Sequence, residues 1–158
     1  MLNLRLANLD DMVNVFNLSN DDIVRQNSIH HEKIKWEEHC KWFKKRILKK
    51  DEPFYIAEDE EKNFIGQVRI DKKNEEFIIS ISIKSDYRGK GLASEILKKC
   101  IKTSKIKNII AYIYDKNTAS IKSFENVGFK NSNILKYTYN SDTDTSFCQF
   151  GDPSGGGE

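Results

Sequence analysis

The stretch SDYRGKGLASEIL, Ser85–Leu97, decides how the middle of this chain folds. Two glycines, Gly89 and Gly91, stand in it among charged residues. The apolar run FIISISI before them alternates as a strand does, and GLASEILKKCIK after them has helical periodicity. A glycine turn at a helix N-terminus lets backbone N–H groups approach an anion, which the helix macrodipole also favours. The stretch therefore predicts a strand, an anion-binding turn and a helix.

Two common phosphate-binding patterns do not fit this turn. A Walker P-loop needs a glycine, four further residues and then Gly-Lys-Ser/Thr, which this stretch lacks. A dinucleotide fingerprint would need a glycine where Ser94 stands, and it would open directly from the strand, whereas polar KSDY intervenes here. A pyrophosphate would fit the turn well, but these residues alone leave the anion open.

Working outward, the patterns predict the element order β-α-α-β-β-β-α-β-α-β-β. The apolar strand NIIAYIY follows the helix, so the central strand–helix–strand unit implies a right-handed crossover and a parallel pair. The last two strands, NILKYTYN and DTSFCQF, are expected to form a closing hairpin. The prediction is a mixed α/β fold with a mostly antiparallel sheet and helices on both faces.

Periodicity also predicts which helix faces are buried. The first helix, capped by Asn8, is expected to bury Leu9, Val13 and Phe16. The helix KWEEHCKWFKKRILKK is expected to bury Trp36, Cys40, Phe43 and Ile47. Between them, LSNDDIVRQNSIHHE is predicted to be a loop. A later helix is expected to begin at Asn117 or Thr118 and to end at Gly128.

Length and composition suit a single domain. The chain has 158 residues, enough for one full core, and a net charge of +2 gives no sign of a nucleic-acid partner. Three cysteines without a CxxC pair suggest neither a zinc knuckle nor a disulfide framework. We see no signal peptide and no run of membrane-spanning length, so a cytoplasmic location without a membrane partner is expected. The tail GDPSGGGE, residues 151–158, is expected to be disordered.

The motif RGKGLA resembles the R/Q-x-x-G-x-G/A signature of the GNAT acetyltransferase superfamily. One helix and one strand further along, NTASIKSFENVGF resembles the superfamily's second acyl-CoA motif, and the element order matches its fold. The resemblance covers Leu2 to Phe150, so we expect a single GNAT domain over residues 1–150. It implies the acyl-CoA N-acyltransferase fold, in which the two central parallel strands splay apart. It also implies acetyl-CoA as donor and CoA as product.

The resemblance further implies where acetyl-CoA binds. Backbone amides from Arg88 to Ala93 are expected to hold the pyrophosphate, with the Ser94 hydroxyl adding a contact. The edge of the strand at Ile81–Ile83 is expected to pair with the pantetheine arm and to polarise the thioester carbonyl. The predicted cofactor-binding residues are Ile81, Ser82, Ile83, Arg88, Gly89, Lys90, Gly91, Leu92, Ala93, Ser94, Asn117, Ser120 and Phe124.

Some of these residues have simpler alternative roles. Asn117 can equally cap its helix, and Lys90 can be a solvated lysine of a helix face. Phe124 stands where the superfamily carries its general-acid tyrosine, so this chain departs from the family pattern there. Tyr112 and Tyr114 on the preceding strand either pack on the sheet or supply a relocated phenol.

The acceptor side is predicted from a narrower resemblance. IKWEEHCKWF resembles the helix of GNAT enzymes that acetylate the 4-amino group of a UDP-linked deoxy sugar in pseudaminic-acid and related surface-glycan pathways, and NDDIVRQNS resembles the loop before it. Polar residues alternate along the strand GQVRID and would face an acceptor cleft. The predicted acceptor-binding residues are Arg25, Asn27, His39, Gln67 and Arg69.

The mechanism that the family implies is direct attack of a deprotonated amine on the thioester. Glu38 and Asp71 are the preferred candidate bases and His39 is another, while Ser80 and Ser82 could hold a water that relays the proton. No metal is expected, since the spacing of His30, His31, Glu32 and His39 matches no ligand set.

Three functions stay open at this point. The chain acetylates an amino sugar, or it acetylates a protein N-terminus, a lysine or another small amine, or it is an inactive acyl-CoA-binding module. The sequence also leaves a homodimer open.

Overall fold

The computed structural model describes residues 1–133 and 135–141. Within them the sheet has the strand order β1-β2-β3-β4-β5-β7-β6. The strands are β1 (Asn3–Leu6), β2 (Phe54–Glu58), β3 (Phe64–Lys73), β4 (Glu76–Ile83), β5 (Asn108–Tyr112), β6 (Lys130–Asn131) and β7 (Lys136–Asn140). The helices are α1 (Met12–Ser19), α2 (Asp22–Gln26), α3 (Trp36–Arg46), α4 (Leu92–Ser104) and α5 (Thr118–Asn126). DTSFCQF and the tail from residue 151 lie outside the described residues.

The predicted mixed sheet is confirmed. Strands β4 and β5 pair in parallel, and the other neighbouring strands pair antiparallel. The parallel register joins Ile78 to Ile110, whereas β4 continues to Ile83 without a further partner on β5. The carboxyl ends of the two strands therefore separate, as the resemblance implies, and α4 forms the crossover between them.

Two apolar cores lie on opposite faces of the sheet. Strand β2 shows this by alternation, because Ala57 belongs to the core under α4 and α5, while Ile56 belongs to the core under α1 and α3. The predicted apolar stripe of α4 is buried, and it consists of Ala93, Ile96, Leu97 and Cys100. Fully burying one such leucine or isoleucine contributes about 1.5–3 kcal/mol.

Three predicted helix boundaries are confirmed. Asn8 and Asp11 form a reciprocal capping box at the first helical turn. Asn117 caps α5, since its Oδ1 accepts a hydrogen bond of 3.2 Å from the backbone N–H of Ser120. Gly128 follows the end of α5 with φ +107°, a conformation that favours glycine.

The predicted buried face of the first helix is wrong. Leu9 and Val13 are each more than half exposed, whereas Val15 is fully buried. The reason is local: Leu9–Asp11 forms a 3₁₀ turn, and the α-helix begins only at Met12. A 3₁₀ turn has three residues per turn instead of 3.6, so it changes which side chains of the following helix face the sheet.

The predicted buried face of α3 is also shifted. Trp36 is exposed, and the buried positions are His39, Phe43 and Arg46. Two of these are polar and are satisfied inside: Arg46 binds Asp71 and backbone carbonyls, and the His39 ring binds a carbonyl of α1. A hydrophobicity pattern cannot find a face that is buried through such partners.

The predicted loop before α3 contains the short helix α2. Asp21 caps it, and its Oδ1 accepts hydrogen bonds from the N–H groups of Ile23 (2.9 Å) and Val24 (3.3 Å). A helix of five residues is too short to show a period. Within the residues described, no helix combines the length and the apolar character that crossing a bilayer requires.

Candidate active site

A cavity of about 810 Å³ lies where β4 and β5 separate. Residues 79–83 of β4, Tyr112 of β5 and the start of α5 at Asn117 line one side. The α2–α3 region lines the other, together with Gln67 and Arg69 of β3. Its volume lies within the usual range of about 300–1,000 Å³ for ligand sites. All five predicted acceptor-binding residues thus line one cavity.

The glycine turn leads from β4 into α4. Gly89 and Gly91 both have φ +75°, and Gly91 is the N-cap of the helix. A Cβ at either position would meet nothing within 4 Å, so the backbone conformation requires glycine there and internal crowding does not. The open outer side of the turn and the N-terminus of a 13-residue helix could hold a pyrophosphate through main-chain donors.

The Ser94 side chain does not face this turn. It is buried between α4 and α5, where its Oγ accepts from Asn126 Nδ2 at 3.1 Å and donates to the carbonyl of Ser123 at 3.5 Å. This placement gives Ser94 a structural role in place of the expected phosphate contact. Lys90, by contrast, is exposed, and its Nζ lies 5.8 Å from the ring centroid of Tyr87.

The Arg88 side chain turns back from the glycine turn toward the cavity. Its Nε donates to the carbonyl of Ile83 at 2.8 Å, and its Nη2 donates to Asp21 Oδ1 at 3.0 Å. Burial raises the pKa of Asp21, but the hydrogen bonds from Arg88 and from two backbone N–H groups outweigh it, so that the net pKa is lowered. The signature arginine therefore joins the end of β4 to the start of α2.

The polar face predicted on β3 is present and organised around Arg69. Its Nη1 donates to Gln67 Oε1 at 3.3 Å, and its Nε donates to Asp71 Oδ2 at 3.1 Å. The guanidinium lies 5.0 Å from the ring centroid of Trp42. Asp71 in turn accepts from Arg46 Nε at 2.7 Å. A cation is thus held in a fixed position on the cavity wall.

The three predicted catalytic residues occupy different places. Asp71 is not among the described residues that line the cavity, and two guanidinium groups already bind its carboxylate. Its position favours holding Arg69 over removing a proton. Glu38 is exposed and lines the cavity, and Ser82 lines it from β4, directly opposite Gln67 in the sheet.

His39 lines the cavity from α3 with only 2% of its surface exposed. Its Nε2–H donates to the carbonyl of Met12 at 2.9 Å. Burial lowers its pKa and nearby Arg69 lowers it further, against the opposing effect of the bond to Met12. The lowered pKa favours the neutral imidazole, and the ring packs among the rings of Phe16 and Trp42.

Arg25 is bound within the protein, whereas Asn27 is open to the cavity. Arg25 Nη1 donates to the carbonyls of His30 (3.0 Å) and Glu32 (3.1 Å), and its Nη2 donates to Ser28 Oγ (3.2 Å). The guanidinium thus shapes the loop before α3, although its buried Nε has no hydrogen-bond partner among the described residues. Asn27 lines the cavity and is exposed, so its amide remains open to an acceptor.

The two candidate phenols, Tyr112 and Tyr114, lie in different surroundings. Phe124, which replaces the family tyrosine, is buried against Phe129 with ring centroids 5.0 Å apart. Tyr112 is half exposed and lines the cavity. The hydroxyl of Tyr114 lies 3.1 Å from His31 Nε2, which links it to the loop before α3.

Sequence reasoning missed Trp42, Asp21 and Arg46. Trp42 lies one turn after His39 on α3, so helical spacing could have placed it on the same face. Asp21 precedes a short helix and could have been identified as a cap. Nothing local in the sequence pairs Arg46 with a carboxylate 25 residues away. Across the described ranges, 1–133 and 135–141, no group of three or more His, Cys, Asp or Glu side chains is arranged to hold a metal ion.

The domain model of the acetyltransferase (GNAT) family matches residues 1–130. This chain belongs to the GNAT acetyltransferase family. It is 30% identical over 141 residues, or 81% of this chain and 83% of the relative, to the Bacillus subtilis (strain 168) protein named "Putative phosphinothricin acetyltransferase YwnH".

Solved structures show the same fold at lower identity. Spermidine N-acetyltransferase from Vibrio cholerae, in complex with CoA and spermine, superposes with a TM-score of 0.78 at 19% identity, covering 92% of this chain and 98% of the other. The protein yncA from Salmonella typhimurium, with its cofactor acetyl-CoA, gives 0.73 at 17% identity, covering 90% and 95%. This GNAT protein is an acetyl-CoA-dependent N-acetyltransferase.

Proposed function

We propose that this enzyme acetylates the primary amine of a small acceptor that also carries an anionic group, and that Arg69 binds that anion. One observation carries the proposal: the Arg69 guanidinium is fixed at the cavity wall by Asp71, Gln67 and Trp42. A guanidinium held in place pairs well with a carboxylate, a phosphinate or a phosphate, because its planar donors match their oxygens.

The basic residues that line the cavity are mostly paired with carboxylates of the protein. The basic lining residues in the described chain are Arg25, Lys33, Arg69 and Arg88, and the acidic ones are Glu32 and Glu38. Asp71, Asp21 and Asp22 bind Arg69, Arg88 and Lys33, so the described cavity lining has no marked cationic excess, and the proposal rests on the fixed position of Arg69. The likeness to the Vibrio enzyme, at 19% identity, supports the fold and not its substrate.

An amino acid with a second acidic group fits these features best. The Bacillus subtilis relative is named for phosphinothricin, which carries an amine, a carboxylate and a phosphinate. The cavity of about 810 Å³ must take both the pantetheine arm and the acceptor, which favours a small molecule. We therefore propose a phosphinothricin-type amino acid as the first acceptor to test.

A nucleotide-linked amino sugar is the second candidate. The helix text IKWEEHCKWF supports it, and His39 and Trp42 of that helix do line the cavity. A diphosphate could use Arg69 as well, while the nucleotide would extend through the open side of the cavity. Both candidates share an amine and an anion, so they differ in size more than in chemistry.

The chain's own groups would divide the work of the reaction. Acetyl-CoA supplies the acetyl group as a thioester. Backbone amides of residues 88–93 hold the pyrophosphate, and Ile81–Ile83 offer a free strand edge to the pantetheine amides. A main-chain N–H on the thioester carbonyl would contribute about 3–4 kcal/mol to the transition state. Glu38, or a water on Ser82, accepts the proton of the attacking amine.

The test is the release of free CoA thiol from acetyl-CoA with four acceptors. They are phosphinothricin, a UDP-4-amino sugar, spermidine and an N-terminal ribosomal peptide. We expect turnover with one or both of the anionic acceptors and little with the other two. Faster turnover of spermidine or of the peptide would overturn the proposal. CoA binding without turnover of any amine in a wide panel would favour an inactive module.

A further inference from the structure

We infer that the side chain of Arg88 positions the acceptor side of the cavity and is not a ligand of acetyl-CoA. The acceptor wall is defined here as residues 23–27 of α2 and its C-cap. That this wall contacts the acceptor rests on the proposed function, but its attachment to Arg88 does not. Arg88 is thus a positioning residue that stands inside a cofactor motif.

Both sides of the Arg88 guanidinium are engaged within the protein. Nε binds the carbonyl of Ile83, the last residue of β4, and Nη2 binds the carboxylate of Asp21. The two bonds, at 2.8 Å and 3.0 Å, diverge from one planar group, so they fix the position of Asp21 relative to β4. This contact uses the side chain alone, so it does not occupy any main-chain amide of the turn.

Asp21 in turn fixes the position of the acceptor wall through hydrogen bonds to the first turn of α2. The same Oδ1 that binds Arg88 also accepts from Ile23 N and Val24 N, and the Asp21 carbonyl accepts from Arg25 N at 2.9 Å. Ile23, Val24, Arg25 and Asn27 all line the cavity. The first turn of α2 is therefore capped by a carboxylate that Arg88 of the glycine turn binds.

The other ion pair of α2 is weaker. Lys33 and Asp22 are 62% and 84% exposed in their side chains, whereas Arg88 and Asp21 are 20% and 27% exposed. Exposed pairs contribute little, since solvent screens them and side-chain entropy opposes them. The Arg88–Asp21 bridge is thus the main charged link between α2 and the strand edge where the pantetheine arm is expected.

Hydrogen exchange of the full chain tests this without any acceptor. Arg88→Gln keeps the motif, which admits glutamine, but loses the charge and the two-way fork. Asp21→Asn keeps a capping side chain and loses the charge. We expect each variant to speed amide exchange in residues 23–28 by about tenfold or more, the scale of one charge-assisted hydrogen bond. The CoA dissociation constant from calorimetry should change by less than about threefold. The double variant should exchange no faster than the faster single variant.

Glu95→Gln is the matched control, because it changes a charge in the first turn of α4, is exposed and touches neither partner. It should leave exchange in residues 23–28 unchanged. The inference is overturned if Arg88→Gln weakens CoA binding by more than tenfold while exchange there stays at the wild-type rate. Faster exchange in Asp21→Asn while Arg88→Gln stays at the wild-type rate would show that Asp21 acts only as the cap of α2, and it would also overturn the link to Arg88. Neither result depends on which amine is the substrate.

Discussion

The cofactor half and the acceptor half of the cavity are built by different means. Around β4, α4, β5 and α5, backbone geometry provides the site: two glycines with φ +75°, a helix N-terminus, a cap at Asn117 and an unpaired strand edge. Around α2, α3 and β3, side chains from distant segments provide it, such as Arg69 on Trp42 and Arg88 on Asp21. A site made of main-chain groups tolerates most side-chain substitutions. A site made of side chains loses a binding contact with each side chain that is substituted.

The largest effect is expected from Gly91→Glu, which changes the glycine turn of the cofactor half. The residue would have to adopt φ +75°, and its carboxylate would lie at the turn proposed to bind two phosphates. We expect acetyl-CoA binding to be lost in isothermal titration while the chain stays folded. Lys62→Glu is the control, since it places glutamate in another left-handed turn, at φ +66°, outside the cavity lining. Wild-type affinity in a folded Gly91→Glu variant would refute the phosphate site.

Asp71→Asn should have the next largest effect and should separate positioning from catalysis. Losing one charge-assisted contact to Arg69 should raise the Michaelis constant for the anionic acceptor by about tenfold. The turnover number and the acidic limb of its pH profile should be kept, because Asp71 is not the base in this account. A collapse of turnover together with loss of that limb would show that Asp71 is the base after all.

Tyr112→Phe should have a smaller effect. Tyr112 lines the cavity, but the leaving thiol has an ordinary pKa of about 8.5, so protonating it near pH 7.5 is worth only about 1.4 kcal/mol. We expect turnover within about tenfold of wild type for Tyr112→Phe. The same is expected for Tyr114→Phe, because the Tyr114 hydroxyl contacts His31 and does not line the cavity. A folded Tyr112→Phe enzyme slowed by roughly a hundredfold would identify a relocated general acid.

The smallest effect concerns stability against pH. The folded pKa of His39 is lowered, so the unfolded chain binds a proton more readily, and stability falls as pH drops below the unfolded value of about 6.5. We expect urea unfolding to give a lower free energy of unfolding at about pH 5.5 than at about pH 7. In His39→Gln, which can still donate to Met12, this part of the pH dependence should vanish. An unchanged slope would mean that other groups cause it.

The difference between the cofactor half and the acceptor half also explains how much could be predicted from sequence. The central parallel pair, the glycine turn, the cap at Asn117 and the end at Gly128 were predicted because each depends on neighbours in the chain. The buried faces of α1 and α3 were mispredicted because a 3₁₀ turn and buried polar partners override the apolar period. The role of Asp71 as a base stays a prediction, since spacing shows its alignment with Arg69 but not its bond to Arg46.

Some predictions stay untested. The nucleotide-linked sugar, a homodimer and a cytoplasmic location are among them, and the closing strand DTSFCQF lies outside the described residues. The family and the use of acetyl-CoA, by contrast, followed from two motifs on the main-chain half and are confirmed.

Steady-state kinetics of Arg69→Ala tests the central claim most directly. With phosphinothricin as acceptor, or with the UDP-amino sugar if that is the one turned over, we expect its Michaelis constant to rise by about tenfold to a hundredfold, as for loss of a charged hydrogen bond. The constant for acetyl-CoA should stay within about twofold. Lys72→Ala, which removes an exposed cation from the same strand outside the cavity lining, should change neither constant. If Arg69→Ala leaves the acceptor constant unchanged, or shifts both constants equally, the anion is not bound there and the account of the acceptor half is wrong.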